Sequence, residues 1–229
     1  MTKSYFAIIA ATCAIAIPAA HATVISDGQC SGLNCASSLS NFSGALGTRL
    51  ASLTAAVSSP AAPAIPWTGT FRTAVFRNVG GTLDFYYQFT NNLSSLDTIT
   101  RITNSTFAGF TTDVGYRADL PSELSTLGWI TGSPQDPSYV NRTNGGTVVG
   151  FNFFNPLSAS AVINPGETSR ILVIRTDAFN YTTGITGIID GSTTNTMSWA
   201  PTAAPEPASL GMMGAGLLAL ASLRKRFSL

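Results

Sequence analysis

The segment Thr82-Leu83-Asp84-Phe85-Tyr86-Tyr87-Gln88-Phe89-Thr90 decides the fold class. Its apolar side chains alternate with polar ones, and a period of two is typical of a β-strand that buries one face and keeps the other in water. The run Thr70–Arg77 reaches this segment across Asn78-Val79-Gly80-Gly81, whose glycines permit the positive φ of a tight turn. The two segments therefore predict a β-hairpin.

A second segment, Ile171-Leu172-Val173-Ile174, is apolar on both faces and predicts a central strand buried between two layers. Further strands are predicted at 99–102, 106–111, 114–117, 128–131, 147–154, 161–163, 169–176 and 186–189. Turn residues recur about every eight to twelve positions between these runs. The pattern predicts a mostly β fold, an antiparallel β-sandwich of jelly-roll-like type, with a C-terminal hydrophobic helix.

The region before the first hairpin is harder to assign. Apolar side chains between residues 39 and 57 recur at helical spacing: Phe42, Leu46, Leu50, Leu53 and Val57. A helix is one interpretation, which Ser43, Gly44 and Gly47 disfavour. The proline-rich run 58–66 then indicates a hinge or an extended crossing segment.

The N-terminal residues indicate export. Lys3 supplies a positive charge, residues 5–17 form an apolar run, and Ala20-His21-Ala22 provides a small-residue cleavage site. We expect signal peptidase to cut after Ala22. Lipidation at Cys13 is a weak alternative because Thr12, rather than Gly or Ala, precedes it.

The C-terminal residues combine three features in order: Pro205-Glu206-Pro207, the apolar run Leu210–Leu223, and Arg224-Lys225-Arg226. The prolines hold Glu206 in an extended, accessible stretch. A helix over the apolar run would be about 21 Å long, which is short of the roughly 30 Å hydrocarbon core. Ala208, Ser209 and snorkelling of the basic side chains would complete a marginal transmembrane segment, 208–223. A buried helix of a soluble domain is the alternative.

These residues closely resemble the PEP-CTERM sorting signal of Gram-negative bacteria, which is associated with exosortase enzymes. Pro205, Glu206 and Pro207 match its tripeptide, Ser209 occupies a position at which small or hydroxyl residues are common, and Arg224, Lys225 and Arg226 match its basic cluster. The resemblance implies an exosortase-type sorting enzyme as partner, processing near the tripeptide, and transient anchoring in the inner membrane. It also implies delivery to the cell surface or extracellular matrix, often in bacteria that make exopolysaccharide.

We therefore expect the chain to be divided into four parts. Residues 1–22 are the signal peptide, and 23–66 form an N-terminal segment with a cysteine loop and a proline-rich hinge. Residues 67–200 form the β-sandwich, and 201–229 carry the sorting signal with its transmembrane segment. Cys30 and Cys35 enclose four residues in an exported segment, which predicts a disulfide.

Composition excludes much catalytic chemistry. Without its processed ends the domain has no histidine and no lysine, and its eight arginines against ten carboxylates give 8 − 10 = −2. It lacks the bases that activate Ser or Cys nucleophiles and the commonest zinc ligand. Without a basic stripe, nucleic acid is not an expected partner. We expect no catalytic residues, no metal site and no cofactor.

Three alternatives remain open at this stage. Asp84, Asp113 and Asp119 are candidates for a glycosidase carboxylate pair, although such acids are usually solvated or paired with arginine. The stretch 190–195 has oxygen ligands for calcium but is more typical of a turn. A sugar-stacking platform could come from these aromatic residues: Trp67, Trp129, Trp199, Tyr86, Tyr116, Tyr139 and Tyr181. The leading hypothesis is a non-enzymatic cell-surface or matrix protein, with a carbohydrate-binding module second and a glycosidase third.

Overall fold

A computed structural model describes residues 24–35, 37–60, 65–132, 134–154 and 162–203. It has 53% strand and 2% helix, which confirms the mostly β prediction. The strands are β1 Cys30–Gly32, β2 Ser40–Phe42, β3 Thr48–Ser58, β4 Thr68–Arg77, β5 Leu83–Asn91, β6 Arg101–Ser105, β7 Thr112–Arg117, β8 Pro134–Gln135, β9 Tyr139–Arg142, β10 Val148–Asn152, β11 Thr168–Ser169, β12 Ile171–Thr176, β13 Asn180–Ile189 and β14 Thr193–Thr202. One short helix in the described residues, α1, spans Ser122–Ser125.

The strands form two sheets. The six-stranded sheet has the order β1-β9-β10-β6-β13-β14 and is antiparallel throughout. In the eight-stranded sheet β5 is paired on one side with β4, and β3 lies beyond β4. On its other side, β5 is paired with both β12 and β11. Beyond β12 lie β7 and then β2, and beyond β11 lies β8. The β2–β7 and β8–β11 pairs are parallel, so this sheet is mixed.

The main hydrophobic core lies between the two sheets and confirms a sandwich. The six-stranded sheet contributes Ile102, Val140, Val149, Phe151 and Ile188. The eight-stranded sheet contributes Phe71, Val75, Leu83, Phe85, Tyr87, Phe89, Val114, Leu172 and Ile174. Alternation along β5 is what places Leu83, Phe85, Tyr87 and Phe89 on this inner face.

A second core covers the opposite face of the eight-stranded sheet. It contains Phe42, Leu46, Ala74, Phe76, Tyr86, Leu124, Trp129, Ile171 and Val173. The predicted wet face of the 82–90 strand is therefore wrong: Asp84 is 3% exposed and Gln88 is 0% exposed. The Gln88 amide is satisfied by the covering segment, because Nε2 donates to Ile130 O at 2.6 Å and Oε1 accepts from Ile130 N at 3.1 Å.

The central-strand prediction is confirmed. β12 lies between β5 and β7, and Ile171, Leu172, Val173 and Ile174 are all buried. Alternate side chains enter the main core and the second core, which is why neither face of this segment is polar in sequence.

The helical interpretation of residues 39–57 is wrong, since β3 covers Thr48–Ser58. β1, β2 and β3 all pair with strands of the body, so the described part of the N-terminal segment belongs to both sheets. Two predicted strands, 106–111 and 128–131, are loops.

The predicted signal peptide, C-terminal helix and transmembrane segment 208–223 lie outside the described residues. Within the described ranges, helices of membrane-spanning length and apolarity are absent.

Candidate functional site

Three charged side chains lie in register on neighbouring strands of the eight-stranded sheet. Arg175 of β12 is paired with Asp84 of β5 on one side and with Asp113 of β7 on the other. Residues directly opposite each other in adjacent strands project to the same face. Arg175 Nε lies 3.4 Å from Asp84 Oδ2. We call Asp84, Arg175 and Asp113 the charged row.

The charged row is closed on one side by the second core. β2 runs parallel to β7 and brings Phe42 against the row, where the Arg175 guanidinium carbon lies 4.0 Å from the ring centroid. A cation over an aromatic face is attracted by the ring quadrupole. The side chains of Arg175 and Asp84 are 30% and 4% exposed, so this ion pair is largely shielded from water.

Burial dominates the electrostatics of Asp84. Desolvation raises the pKa of Asp84 above its ordinary value of 3.8, and the hydrogen bond from Asn78 and the charge of Arg175 oppose that rise. Asn78 Nδ2 donates to Asp84 Oδ1 at 2.9 Å. Burial, together with the nearby Asp84 charge, also raises the pKa of Tyr86 to about 12.

The charged row opens into a shallow cleft of about 370 Å³ at one end of the sandwich. Asn78, Thr82, Asp113, Arg175 and Asp177 are among its lining residues. Asp177 accepts hydrogen bonds from Thr111 N and Oγ1, both at 3.0 Å, and so closes a loop rather than pointing freely into the cleft.

Of the three acids predicted as glycosidase candidates, the structure brings Asp84 and Asp113 together and leaves Asp119 elsewhere. Asp84 and Asp113 are two strands apart, which is about 10 Å between backbones, and Arg175 occupies the strand between them. Asp119 binds the buried Arg117 in a bidentate pair, with distances of 2.9 and 2.6 Å. Each of these acids therefore has an arginine partner or neighbour.

Arg142 is a second buried arginine, and its guanidinium is surrounded by backbone carbonyl groups and one carboxylate. Its Nε donates to Gly146 O at 3.1 Å, Nη1 donates to Ile25 O at 3.3 Å, and Nη2 donates to the carbonyls of Phe107 and Phe110 at 2.8 Å. Nη1 also lies 3.3 Å from Asp27 Oδ1. These five contacts equal the number of N–H donors of a guanidinium. Arg142 therefore links β9 to three loops, which contain residues 25–27, residues 107–110 and Gly146.

The structure removes three of the seven aromatic residues from the predicted stacking platform. Trp67, Trp129 and Tyr86 are buried in the cores. Tyr181 and Trp199 are partly buried and meet edge to face, with ring centroids 5.6 Å apart and an interplanar angle of 90°. Tyr116 and Tyr139 are half-buried as well, so the cores enclose Trp67, Trp129 and Tyr86 but not the other four predicted stacking residues.

The two remaining local predictions concern the cysteines and the 190–195 stretch. Cys30 and Cys35 form a disulfide, as predicted. Asp190 Oδ1 accepts from Ser192 N at 3.1 Å and from Ser192 Oγ at 2.8 Å, so the stretch is a side-chain-closed turn between β13 and β14. Across the described ranges, clusters of three or more His, Cys, Asp or Glu side chains suited to a metal ion are absent.

Sequence reasoning did not single out Arg175 or Arg142. Only the excess of acids over arginines in a lysine-free domain pointed to arginine pairing. The partners themselves depend on strand order and register, which no local pattern encodes.

The described chain ends at the same end of the sandwich as the cleft. Thr202, the last residue of β14, is paired with Asn180, the first residue of β13. Arg77 joins the β4–β5 turn to the start of β13, because Nη1 donates to Gly81 O at 2.7 Å and Nη2 donates to Phe179 O at 3.2 Å. We call this end, formed by Val24, the turn 78–81, residues 177–179 and Thr202, the exit end.

The predicted sorting residues Pro205, Glu206, Pro207, Ser209, Arg224, Lys225 and Arg226 lie beyond the described residues, as do Ala20 and Ala22. A family model described as the PEP-CTERM protein-sorting motif matches residues 203–226. No curated protein and no solved structure matches the chain. The motif implies processing by an exosortase-type sorting enzyme. The chain therefore carries a PEP-CTERM protein-sorting motif, and it is an exported protein that this C-terminal signal sorts to the Gram-negative cell envelope.

Proposed function

We propose that this protein is a non-enzymatic component of the cell surface or extracellular matrix. Signal peptidase cuts after Ala22, the segment 208–223 holds the chain transiently in the inner membrane, and the sorting enzyme processes it near Pro205–Pro207. One observation carries the proposal: the sorting motif 203–226 starts directly after β14 ends at Thr202. The sandwich is thus the delivered part, and it is attached to its signal without an intervening domain.

The charged row supports a structural role for the carboxylates. General acid–base chemistry needs one acid that holds a proton and one base that lacks it, both facing the substrate. Arg175 stands between Asp84 and Asp113 in the strand register and forms an ion pair with Asp84. The same domain has no histidine or lysine to replace them.

Exopolysaccharide is the matrix partner that we propose. The outer face of the six-stranded sheet presents hydroxyl and amide groups, including Thr103, Thr183 and Asn195. Such groups hydrogen-bond sugar hydroxyls without a stacked ring. The buried positions of Trp67 and Trp129 weigh against the aromatic type of carbohydrate-binding module.

The sorting step is tested by changing Pro205, Glu206 and Pro207 together to alanine in the native host. The exported protein should then accumulate uncleaved in the inner membrane, as measured by intact mass of the membrane fraction. Pro60→Ala is the matched control, because Pro60 is an exposed proline outside the motif. Normal processing of the triple variant would disprove the proposed route.

The non-enzymatic role is tested with the processed protein and the host exopolysaccharide. We expect retention on the polysaccharide with no release of shorter sugars over prolonged incubation. Reproducible hydrolysis that Asp84→Asn or Asp113→Asn abolishes, while the folded fraction is unchanged, would replace this proposal with a glycosidase.

A further inference from the structure

We infer that the exit end of the sandwich rests on the phospholipid surface of the inner membrane while the chain awaits processing. This inference depends on the transient anchoring in the proposed function. Beyond anchoring by the C-terminal segment, it specifies which surface of the folded domain makes contact, and it names the outer leaflet of that membrane as the partner. The short length of chain beyond the fold and the apolar side chains around its exit both favour this contact.

The tether between the fold and the bilayer is short. Thr202, the last strand residue, and Ala208, where the apolar segment begins, are six residue steps apart. An extended chain spans at most about 3.6 Å per residue, so the tether reaches at most about 22 Å. Headgroup layers occupy part of this distance, since they make up about 5 to 7 Å on each side of the hydrocarbon core. The exit end is therefore held close to the headgroups.

Exposed apolar side chains surround the point where the chain leaves. Val79, at the tip of the β4–β5 turn, is fully exposed, and Phe179 and Val24 are 59% and 57% exposed. The Arg77 hydrogen bonds to Gly81 and Phe179 hold two of these tips together. Val24 is bridged to Asp113 at the same end. Apolar tips on a rigid β scaffold gain free energy by entering the interface between headgroups and acyl chains.

The charges of the exit end are balanced. Four arginines, Arg49, Arg77, Arg142 and Arg175, lie at this end together with four acids, Asp27, Asp84, Asp113 and Asp177. Attraction to anionic lipid therefore gives little net contribution. The contact is carried by the apolar tips and should survive high salt.

The opposite end of the sandwich provides the internal control. Leu93 and Leu96 are also exposed there, at 83% and 73%. β14 has ten residues between the two ends, which is about 33 Å. Leu93 therefore stays in water when the exit end faces the membrane. Exposure is matched between Val79 and Leu93, and only their position relative to the tether differs.

The test uses residues 23–229, the chain after signal-peptide removal and before sorting, purified from a host without a sorting enzyme and reconstituted in phosphatidylethanolamine–phosphatidylglycerol vesicles. An environment-sensitive fluorophore is attached at Val79→Cys or at Leu93→Cys. We expect a blue-shifted emission at position 79 and at least threefold stronger quenching by headgroup-labelled lipid than at position 93, in both 0.1 M and 0.5 M salt. Equal quenching at the two positions, or loss of the difference at high salt, would overturn the inference.

A second measurement separates this inference from the proposed sorting route. The double variant Val79→Ser/Phe179→Ser should be processed at least threefold more slowly in the native host than Leu93→Ser/Leu96→Ser. Equal rates would overturn the docking inference and leave the sorting route intact. Normal cleavage of the Pro205–Pro207 triple alanine variant would instead remove the sorting route, whatever the fluorophores report.

Discussion

Replacing Arg175 by methionine should destabilise the fold in a pH-dependent way. Loss of one partner of a fully buried ion pair costs about 3–5 kcal/mol, and 30% exposure of Arg175 reduces this to about 2–3 kcal/mol. The cation–π contact with Phe42 adds about 0.5–1 kcal/mol. Methionine retains apolar contact with that ring, so we expect a total loss of about 3 kcal/mol at pH 7.

The sign of the pH dependence follows from Asp84. Burial already raises its pKa above 3.8, and the Arg175 charge is one of the influences that oppose the rise. Without Arg175 the pKa of Asp84 rises further. A carboxyl whose folded pKa is raised contributes stability that is full below its unfolded pKa of about 3.9 and is lost as pH increases through the folded pKa. The variant should therefore lose stability between about pH 4 and pH 7 more steeply than the wild type.

The assay is urea unfolding of the processed protein, followed by the fluorescence of Trp67 and Trp129, which are buried. With an m-value of about 2–3 kcal/mol/M, the midpoint should fall by about 1–1.5 M at pH 7 and by less near pH 4. Adding Asp84→Asn should remove the extra pH dependence and restore about 1–2 kcal/mol. The control Arg170→Met removes a more exposed ion pair with Asp136 and should cost less than about 1 kcal/mol. A penalty that is the same at pH 4 and pH 7 would refute the assigned role of Arg175.

Three further predictions concern stability. Arg142→Lys should cost about 3–5 kcal/mol in urea unfolding because an ammonium cannot serve all five acceptors, and a loss no larger than that of Arg170→Lys would contradict it. Cys30→Ser/Cys35→Ser should lose about 2 kcal/mol, and thiol labelling of the unfolded, unreduced protein should find neither cysteine free; a labelled thiol would contradict the pairing. Gly115→Ala should cost about 1–3 kcal/mol, since an added Cβ would lie 2.2 Å from Ser40 O, and unchanged thermal unfolding would argue against the tight β2–β7 contact.

Local pattern predicted the hairpin and the central strand because both depend on neighbouring residues. Alternation fixed the inner face of β5, and the apolar run of β12 signalled burial on both sides. The outer face of β5 was not predictable, since Trp129 and Leu124 cover it from about forty positions away in sequence. Polar residues such as Gln88 are tolerated there because the covering backbone satisfies them.

β3 shows how a bulge imitates a helix. Arg49 is paired with Phe76 and Ala51 with Val75, so Leu50 is an extra residue in the strand. The bulge changes the alternation, and Leu50 and Leu53 acquire the three-residue spacing of a helix face. Small alanines at the other inward positions then hide the period of two that the rest of the strand follows.

The candidate site was predictable only in part. Asp84 and Asp113 were identifiable as candidate acids, since the mature domain has few other groups for acid–base chemistry. The ion pair of Asp84 with Arg175, and the position of Asp113 opposite Arg175 on the next strand, were not, because they require β12 to lie between β5 and β7 in one particular register. The sorting motif was predictable because it is a short stretch of local sequence, residues 203–226, which a family model also recognises.

The position of the charged row also bears on function. Its cleft opens at the exit end, where Thr202 leads into the sorting motif. If that end rests on the membrane before processing, headgroups and tether lie over the cleft and exclude a large polymer. Before processing, the charged row would then be out of reach of a polymer. Before and after processing alike, it lies across β5, β12 and β7, which fits the structural role that we propose for it. The outer face of the six-stranded sheet has no such obstruction, so the proposed polysaccharide contact would be accessible on that face both before and after processing.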